Sequence, residues 1–244
     1  MIQGIVRNGR VLIENEADAS TLRNKGYTGK NLGQRLSLDL VTSFDLLVRK
    51  KIVVLRGSTP VTAEQMQEML SSDERKTAIA FHLLKVKGMR PLIRRRRLYS
   101  DGKSVAVYWD SEYVDFATFR SKNATIAVVD SEGSCLLYTV REVKRIGGIT
   151  RSEHGISKLK GISRHLPMAG VRIGSGLKFG SEFRVYDGSS PHAKYLMTIE
   201  DKSIARNMVA RVRISQSVRK TFLQAVPITK QEKYRLFEIK WIRR

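Results

Sequence analysis

Cysteine is almost absent from this chain: Cys135 stands alone among 244 residues. One thiol excludes an internal disulfide framework and a Cys-rich zinc site, and its place in a β-type run marks it as a small strand residue. Histidine is scarce as well, with four, and His82 has no second His or acidic residue at metal-ligand spacing. No run approaches the ~18–20 apolar residues that a membrane-spanning helix needs, and the opening MIQGIVRNGR lacks a signal-peptide core. The expectation is a soluble, cytoplasmic protein with no membrane partner. The remaining shortage is acid: 23 Asp and Glu stand against 45 Lys and Arg, a formal charge of +22. Such an excess points to a polyanion, above all nucleic acid, because basic side chains displace the counterions condensed on phosphates. No basic amphipathic helix stands out to favour an anionic membrane instead.

What is present is organised around residues 174–200, GSGLKFGSEFRVYDGSSPHAKYLMTIE. Two β-type runs, FRVY and HAKYLMTI, flank the turn-forming DGSSP. They predict a hairpin with Tyr186 at the end of one strand and His192 at the start of the next. Further on, SVRK places Lys220 in a segment that reads as a helix. A Tyr, a His and a Lys without a metal-ligand cluster suit metal-free phosphoryl transfer on RNA. The run GLKFGSEFRVY…HAKYLM followed by VRK resembles the catalytic core of the archaeal tRNA-intron endonucleases.

Upstream, Asn8-Gly9 is a strong hairpin dipeptide between two short strands. A short helix ending at Gly26 follows, then a helix with Leu40, Phe44, Leu47 and Val48 on one face and Ser37 as the expected N-cap. GYTG and LSLDLVTSFDLL resemble the family's small N-terminal subdomain. After the break at GSTP, residues 62–89 read as mostly helical, and His82 reads as a core-edge residue rather than a ligand. The densest basic run is Arg94, Arg95, Arg96 and Arg97, readable as a solvated loop or as a phosphate contact.

LYTVREVKR from residue 137 and LFEIKWIRR from residue 236 align without gaps, which suggests duplication. The expected fold is α/β, a mixed α+β tandem pseudo-repeat in three parts. These are an N-terminal α/β subdomain over 1–60, a pseudo-catalytic unit over 61–146, and a catalytic unit over 147–244. The resemblance implies a restriction-endonuclease-like mixed sheet in the last of these, and a fused architecture in which two such chains form a homodimer.

The resemblance also implies roles. Tyr186 is the base for the 2′-hydroxyl, His192 the acid for the leaving 5′-oxygen, and Lys220 the cation that holds phosphorane charge. An imidazole suits the acid's part because both of its protonation states are accessible near neutrality. Arg213 and Arg243, with Trp241 beside them, match the paired arginines that grip a flipped-out base; Arg243 is preferred over Arg244. Asp130 and Glu132 match an acidic loop that docks on the partner's catalytic unit. The expected substrate is precursor tRNA cut at bulge–helix–bulge junctions, with no cofactor and no metal. Two competing readings are a non-catalytic RNA-binding subunit and a metal-dependent nuclease, although EFRVYD does not supply a convincing PD…(D/E)xK cluster for the second.

Overall fold

The computed structural model describes residues 1–119, 123–143, 171–187, 190–228 and 233–243. Expectations that touched Arg145, the DGSSP residues Gly188 and Ser189, and Arg244 lie outside them. The fold is mixed α+β, and compact packing divides it into residues 1–107 with 129–135 and residues 108–128 with 136–244. Among the described residues no helix is long and apolar enough to cross a membrane.

The N-terminal unit is built on a six-stranded sheet, order β3-β4-β2-β1-β5-β6. Its strands are β1 (Ile2–Arg7), β2 (Arg10–Ile13), β3 (Lys30–Leu32), β4 (Arg35–Leu38), β5 (Ile52–Arg56) and β6 (Thr59–Pro60). The β1–β2 pair closes at Asn8-Gly9, as the dipeptide predicts, and β1 pairs in parallel with β5. α1 (Glu16–Asn24) and α2 (Leu40–Val48) pack on this sheet, and α3 (Ala63–Glu68) and α4 (Ser72–Val86) pack on α2. Val11, Ile13, Leu22, Leu38, Leu46, Val54, Met66 and Phe81 form its buried interior.

Every one of these helices starts at a side chain that accepts from its own first turn: Asn15, Asp39, Thr62 and Ser71. The last two close full capping boxes with Gln65 and Glu74. Ser37, expected as the cap of α2, is in β4 instead. Asp39 takes that place because its carboxylate reaches the Thr42 N–H at 2.8 Å, while the Ser37 hydroxyl receives Arg10 Nε at 2.7 Å. Residues 62–89 are mostly helical as expected, divided into two helices because Ser71 starts a new capping box after Leu70.

His82 sits at the core edge and has a partner that local spacing hid: its Nδ1 is 2.8 Å from Oδ1 of the buried Asp45 on α2. Lys85 lies over the Tyr27 ring at 4.3 Å. Burial pushes the Tyr27 phenol up and the Lys85 ammonium down. The same unit holds a meander of β7 (Pro91–Arg94), β8 (Arg97–Ser100) and β9 (Lys103–Trp109).

The C-terminal unit carries a mixed sheet in the order β13-β14-β15-β17-β18-β12-β11. Its strands are β11 (Asn123–Val129), β12 (Cys135–Val143), β13 (Arg172–Ser175), β14 (Phe183–Tyr186), β15 (Tyr195–Ile199), β17 (Thr221–Ile228) and β18 (Lys233–Trp241). One face packs Val171, Val185, Met197, Leu223, Ala225 and Leu236. The two closing strands of the sequence repeat, β12 and β18, pair antiparallel with Val140 opposite its counterpart Ile239.

Two further short strands, β10 (Tyr113–Asp115) and β16 (Lys202–Ile204), pair beside α5 (Ala205–Ser217). This helix has no side-chain cap; the N–H groups of Ala205 and Arg206 donate to the carbonyls of Glu112 and Asp110, each at 2.8 Å. The segment at 110–115 therefore serves the helix of the C-terminal unit.

Candidate active site

Three adjacent strand ends gather the nominated catalytic residues. Tyr186 closes β14, whose Val185 pairs with Tyr195 at the start of β15; Tyr195 pairs in turn with Thr221 at the start of β17. The Lys194 N–H donates to Val185 O at 2.9 Å, and the Thr221 N–H donates to Lys194 O at 3.0 Å. Tyr186, residues 192–194 and Lys220 thus lie just off one end of the sheet. Lys220 Nζ donates to the carbonyl of Ala193 at 2.7 Å, which holds the ammonium beside the His192 segment.

Two placements differ from the sequence expectation. His192 is not in a strand: β15 begins at Tyr195, and His192 is exposed in the connecting loop. Pro191 has no N–H to give a ladder, and the His192 N–H goes to Ser190 Oγ at 3.3 Å, which in turn donates to His192 O at 3.0 Å. Lys220 is not in a helix either. At the end of α5, Arg219 adopts φ 57°, its N–H donating to Gln216 O at 3.0 Å and that of Lys220 to Ser215 O at 2.7 Å. These are the two bonds of a Schellman stop, which turns the chain so that Lys220 leads into β17.

The GLKFG segment supports the same edge. It forms a single 3-10 turn (Leu177–Phe179) ended by Gly180 at φ 64°. A Cβ on Gly176 would stand 2.8 Å from backbone atoms of Phe183, so only glycine fits against the start of β14.

Sequence reasoning passed over Arg172. It pairs with Tyr186 across β13–β14, and its guanidinium carbon lies 4.3 Å from the Tyr186 ring centroid. Its Nη2 donates to Ser190 O at 3.2 Å. One arginine therefore connects the ring of Tyr186 with the turn that seats His192. The strand-like RIGS run was a signal for β13, but nothing local indicated its register. Arg184 adds a second cation 5.9 Å from the ring. Lys194 pairs with Asp187 at 2.9 Å, and that hydrogen bond is the main reason its ammonium is held above the usual range.

The three residues expected to grip a base converge. Arg213 on α5 and Arg243 beyond β18 place guanidinium carbons 5.8 and 5.0 Å from the Trp241 ring centroid. Arg243 is steadied by Gln216, its Nη2 donating at 3.2 Å. Planar cations around an indole make a stacking platform suited to a nucleobase.

Elsewhere, Asp130 is committed to its own turn: its Oδ1 accepts from the N–H groups of Glu132 at 3.0 Å and Ser134 at 2.8 Å. Glu132 points no such bond inward and is exposed. The Cys135 thiol is pushed up to about 12 by burial and then by Asp130, which leaves it a packing residue at neutral pH. Among the described residues no group of three or more His, Cys, Asp or Glu is arranged to hold a metal ion.

Parts of the chain are similar to known proteins. The family described as tRNA intron endonuclease, N-terminal domain, matches residues 2–67, and the one described as tRNA intron endonuclease, catalytic C-terminal domain, matches residues 161–236. A tRNA-splicing endonuclease of Pyrococcus abyssi is 28% identical over 130 residues, covering 52% of this chain and 73% of that protein. One of Hyperthermus butylicus is 32% identical over 124 residues, covering 48% and 65%. One of Thermococcus gammatolerans is 35% identical over 78 residues, covering 30% and 46%. The matched region is thus less than two thirds of the second relative and less than half of the third. With both of its domains matched, the chain belongs to the tRNA intron endonuclease family.

Proposed function

We propose that this chain is the endonuclease that cuts precursor tRNA at bulge–helix–bulge intron junctions, leaving 2′,3′-cyclic phosphate and 5′-hydroxyl ends. The observation that carries this reading is the placement of Tyr186, His192 and Lys220 off three adjoining strand ends. Tyr186 removes the proton as the 2′-oxygen forms its bond to phosphorus, and Arg172 over the ring places positive charge where a phenolate develops. His192, exposed in its loop, gives a proton to the 5′-oxygen as the bond from phosphorus to that oxygen breaks. Lys220 keeps one N–H on Ala193 O and turns the others to a non-bridging phosphate oxygen. Arg213, Trp241 and Arg243 stack a flipped-out base.

The test is incubation of the purified protein with an intron-bearing precursor tRNA in excess EDTA. Cleavage at both junctions with cyclic phosphate ends is expected. Activity that appears only with magnesium would replace this mechanism with a metal-dependent one, and no cleavage in either condition would make the chain a non-catalytic subunit.

The assembly belongs to the same proposal. The pairing of the two closing repeat strands, β12 with β18, supports a fused chain with a pseudo-catalytic part over 61–146 and a catalytic part over 147–244, following the subdomain at 1–60. Two such chains form a homodimer, each acidic turn docking in trans. Because Asp130 holds its own turn, Glu132 carries the docking charge. Glu132→Lys is expected to split the dimer in sedimentation; a variant that stays dimeric and active removes this contact.

A further inference from the structure

Three two-residue hairpin turns of the N-terminal unit have both central residues at positive φ. They are Asn8-Gly9 (49° and 69°), Asp101-Gly102 (49° and 76°) and Arg95-Arg96 (50° and 60°). The first two use the residues this turn favours, since Asn and Asp tolerate left-handed backbone and Gly has no Cβ. The third places two long side chains where each L residue is strained. Lys50 and Arg219 also have positive φ, but each does so singly, just past the end of a helix.

Charge compounds the strain. Arg94 and Arg97 face each other across β7 and β8, and like charges directly opposite destabilise an antiparallel pair. Arg7 and Arg10 flank the first turn in the same way, yet both are engaged. Arg7 pairs with Glu14 at 3.5 Å, and Arg10 donates to the side chain and carbonyl of Ser37 at 2.7 and 2.9 Å. Arg94, Arg95, Arg96 and Arg97 are all exposed, and none makes an ion pair among the described residues. Three acids share a groove with Arg96 and all are taken, Asp39 by the Thr42 N–H at 2.8 Å. Asp73 pairs with Lys76 at 2.9 Å, and Glu74 accepts from the N–H and hydroxyl of Ser71 at 3.0 and 2.8 Å.

Two of these arginines are held against backbone preference and two face each other in like charge, and none of the four forms an ion pair among the described residues. We propose that the Arg94–Arg97 tip is a phosphate-gripping hairpin that binds the RNA backbone, a contact additional to the Arg213/Trp241/Arg243 clamp. It rests on the reading that the chain acts on RNA, and it lies outside both family-matched stretches, 2–67 and 161–236. The tip offers fork-shaped, permanently charged donors that reach phosphate oxygens in pairs, without reading sequence.

The test replaces the turn with the one used elsewhere in the chain, Arg95→Asn with Arg96→Gly, in the full-length protein. The unfolding temperature should stay level or rise, because strain is removed. Binding of a transcribed intron-bearing precursor tRNA should weaken, and the slope of log affinity against log salt should become shallower by about 1.5, the loss of two phosphate contacts. Arg94→Gln with Arg97→Gln, which leaves the turn untouched, should lower the slope further. An unchanged slope in both variants overturns the proposal. So does a loss of binding to phosphatidylglycerol vesicles with RNA affinity intact, which would assign the tip to a membrane surface. Protein that never cuts the precursor yet shows the shallower slope upholds the hairpin and defeats the endonuclease reading; cleavage with an unchanged slope does the reverse.

Discussion

In the N-terminal unit, α1, α2, α3 and α4 each begin at a side chain that accepts from the helix's own first turn, whereas α5 in the C-terminal unit has no such cap. Its first N–H groups are met by carbonyls of Asp110 and Glu112, which belong to a segment well upstream in the chain. The difference teaches where each unit stores its specification. Self-capped helices can form from local sequence and then pack. A helix started by a distant loop is correct only once the tertiary structure is, and α5 carries Arg213 and ends in the turn that delivers Lys220. The candidate site is therefore built on the part of the molecule that depends most on long-range contacts.

The sharpest contrast comes from the site itself. His192→Ala should lower single-turnover cleavage by ~10²–10⁴, the usual share of a positioned acid, without moving the unfolding midpoint, since His192 is exposed. A variant that loses RNA binding as fast as it loses cleavage would make His192 a recognition residue instead.

The next largest effect should come from the loop that starts α5. Glu112 holds this loop by accepting the Trp109 N–H at 2.9 Å. Glu112→Ala should cost about 1.5–3 kcal/mol in urea unfolding, the range for a hydrogen bond to a charged group, and should also slow cleavage through α5. Stability lost with cleavage unchanged would mean that α5 starts correctly without that loop, and the contrast between the units would fall.

The smallest effect belongs to a local cap. Asp39→Ala should cost about 1 kcal/mol and leave cleavage intact, while Asp39→Asn keeps the acceptor for Thr42 and should cost almost nothing at neutral pH. Burial pushes the Asp39 carboxyl up, ahead of the Thr42 hydrogen bonds and the Arg10 charge that draw it down. An acid raised on folding contributes its stability in full below its unfolded value and loses it as pH rises through the folded value. The Asn variant should therefore show a flatter dependence of urea midpoint on pH in the acid range. An Asn variant as unstable as the Ala one would show that the charge, not the cap, is what α2 requires.

Much of the N-terminal unit was legible from short stretches. Asn8-Gly9 and Gly26 marked a hairpin and a helix end, because positive φ selects a small set of residues. The cap of α2 was misplaced by two residues. Ser37 and Asp39 are both good caps, and only the engagement of Ser37 by Arg10 in β4 separates them. Asp45 and His82 could not be matched at all, since they meet between two helices far apart in the chain. In the C-terminal unit the strands β14 and β15 were legible, but the seats of His192 and Lys220 were not. A Ser190 turn and a Schellman stop with arginine in the place of glycine carry no strong composition signal.

By itself the amino-acid sequence determined the basic charge, the paired motif around GLKFG and FRVY and the repeated closing strands, because these depend on composition and local backbone preference; Tyr186, His192 and Lys220 were nominated through the resemblance that the motif carries. Only the tertiary structure decided that Tyr186, His192 and Lys220 share one sheet edge, that Arg172 bridges two of them, and that Arg213 and Arg243 meet over Trp241. Those placements follow from strand register and from a parallel crossover through α5. Register is chosen by burying one face of every strand at once, a sum over the whole sheet that no single stretch of sequence contains.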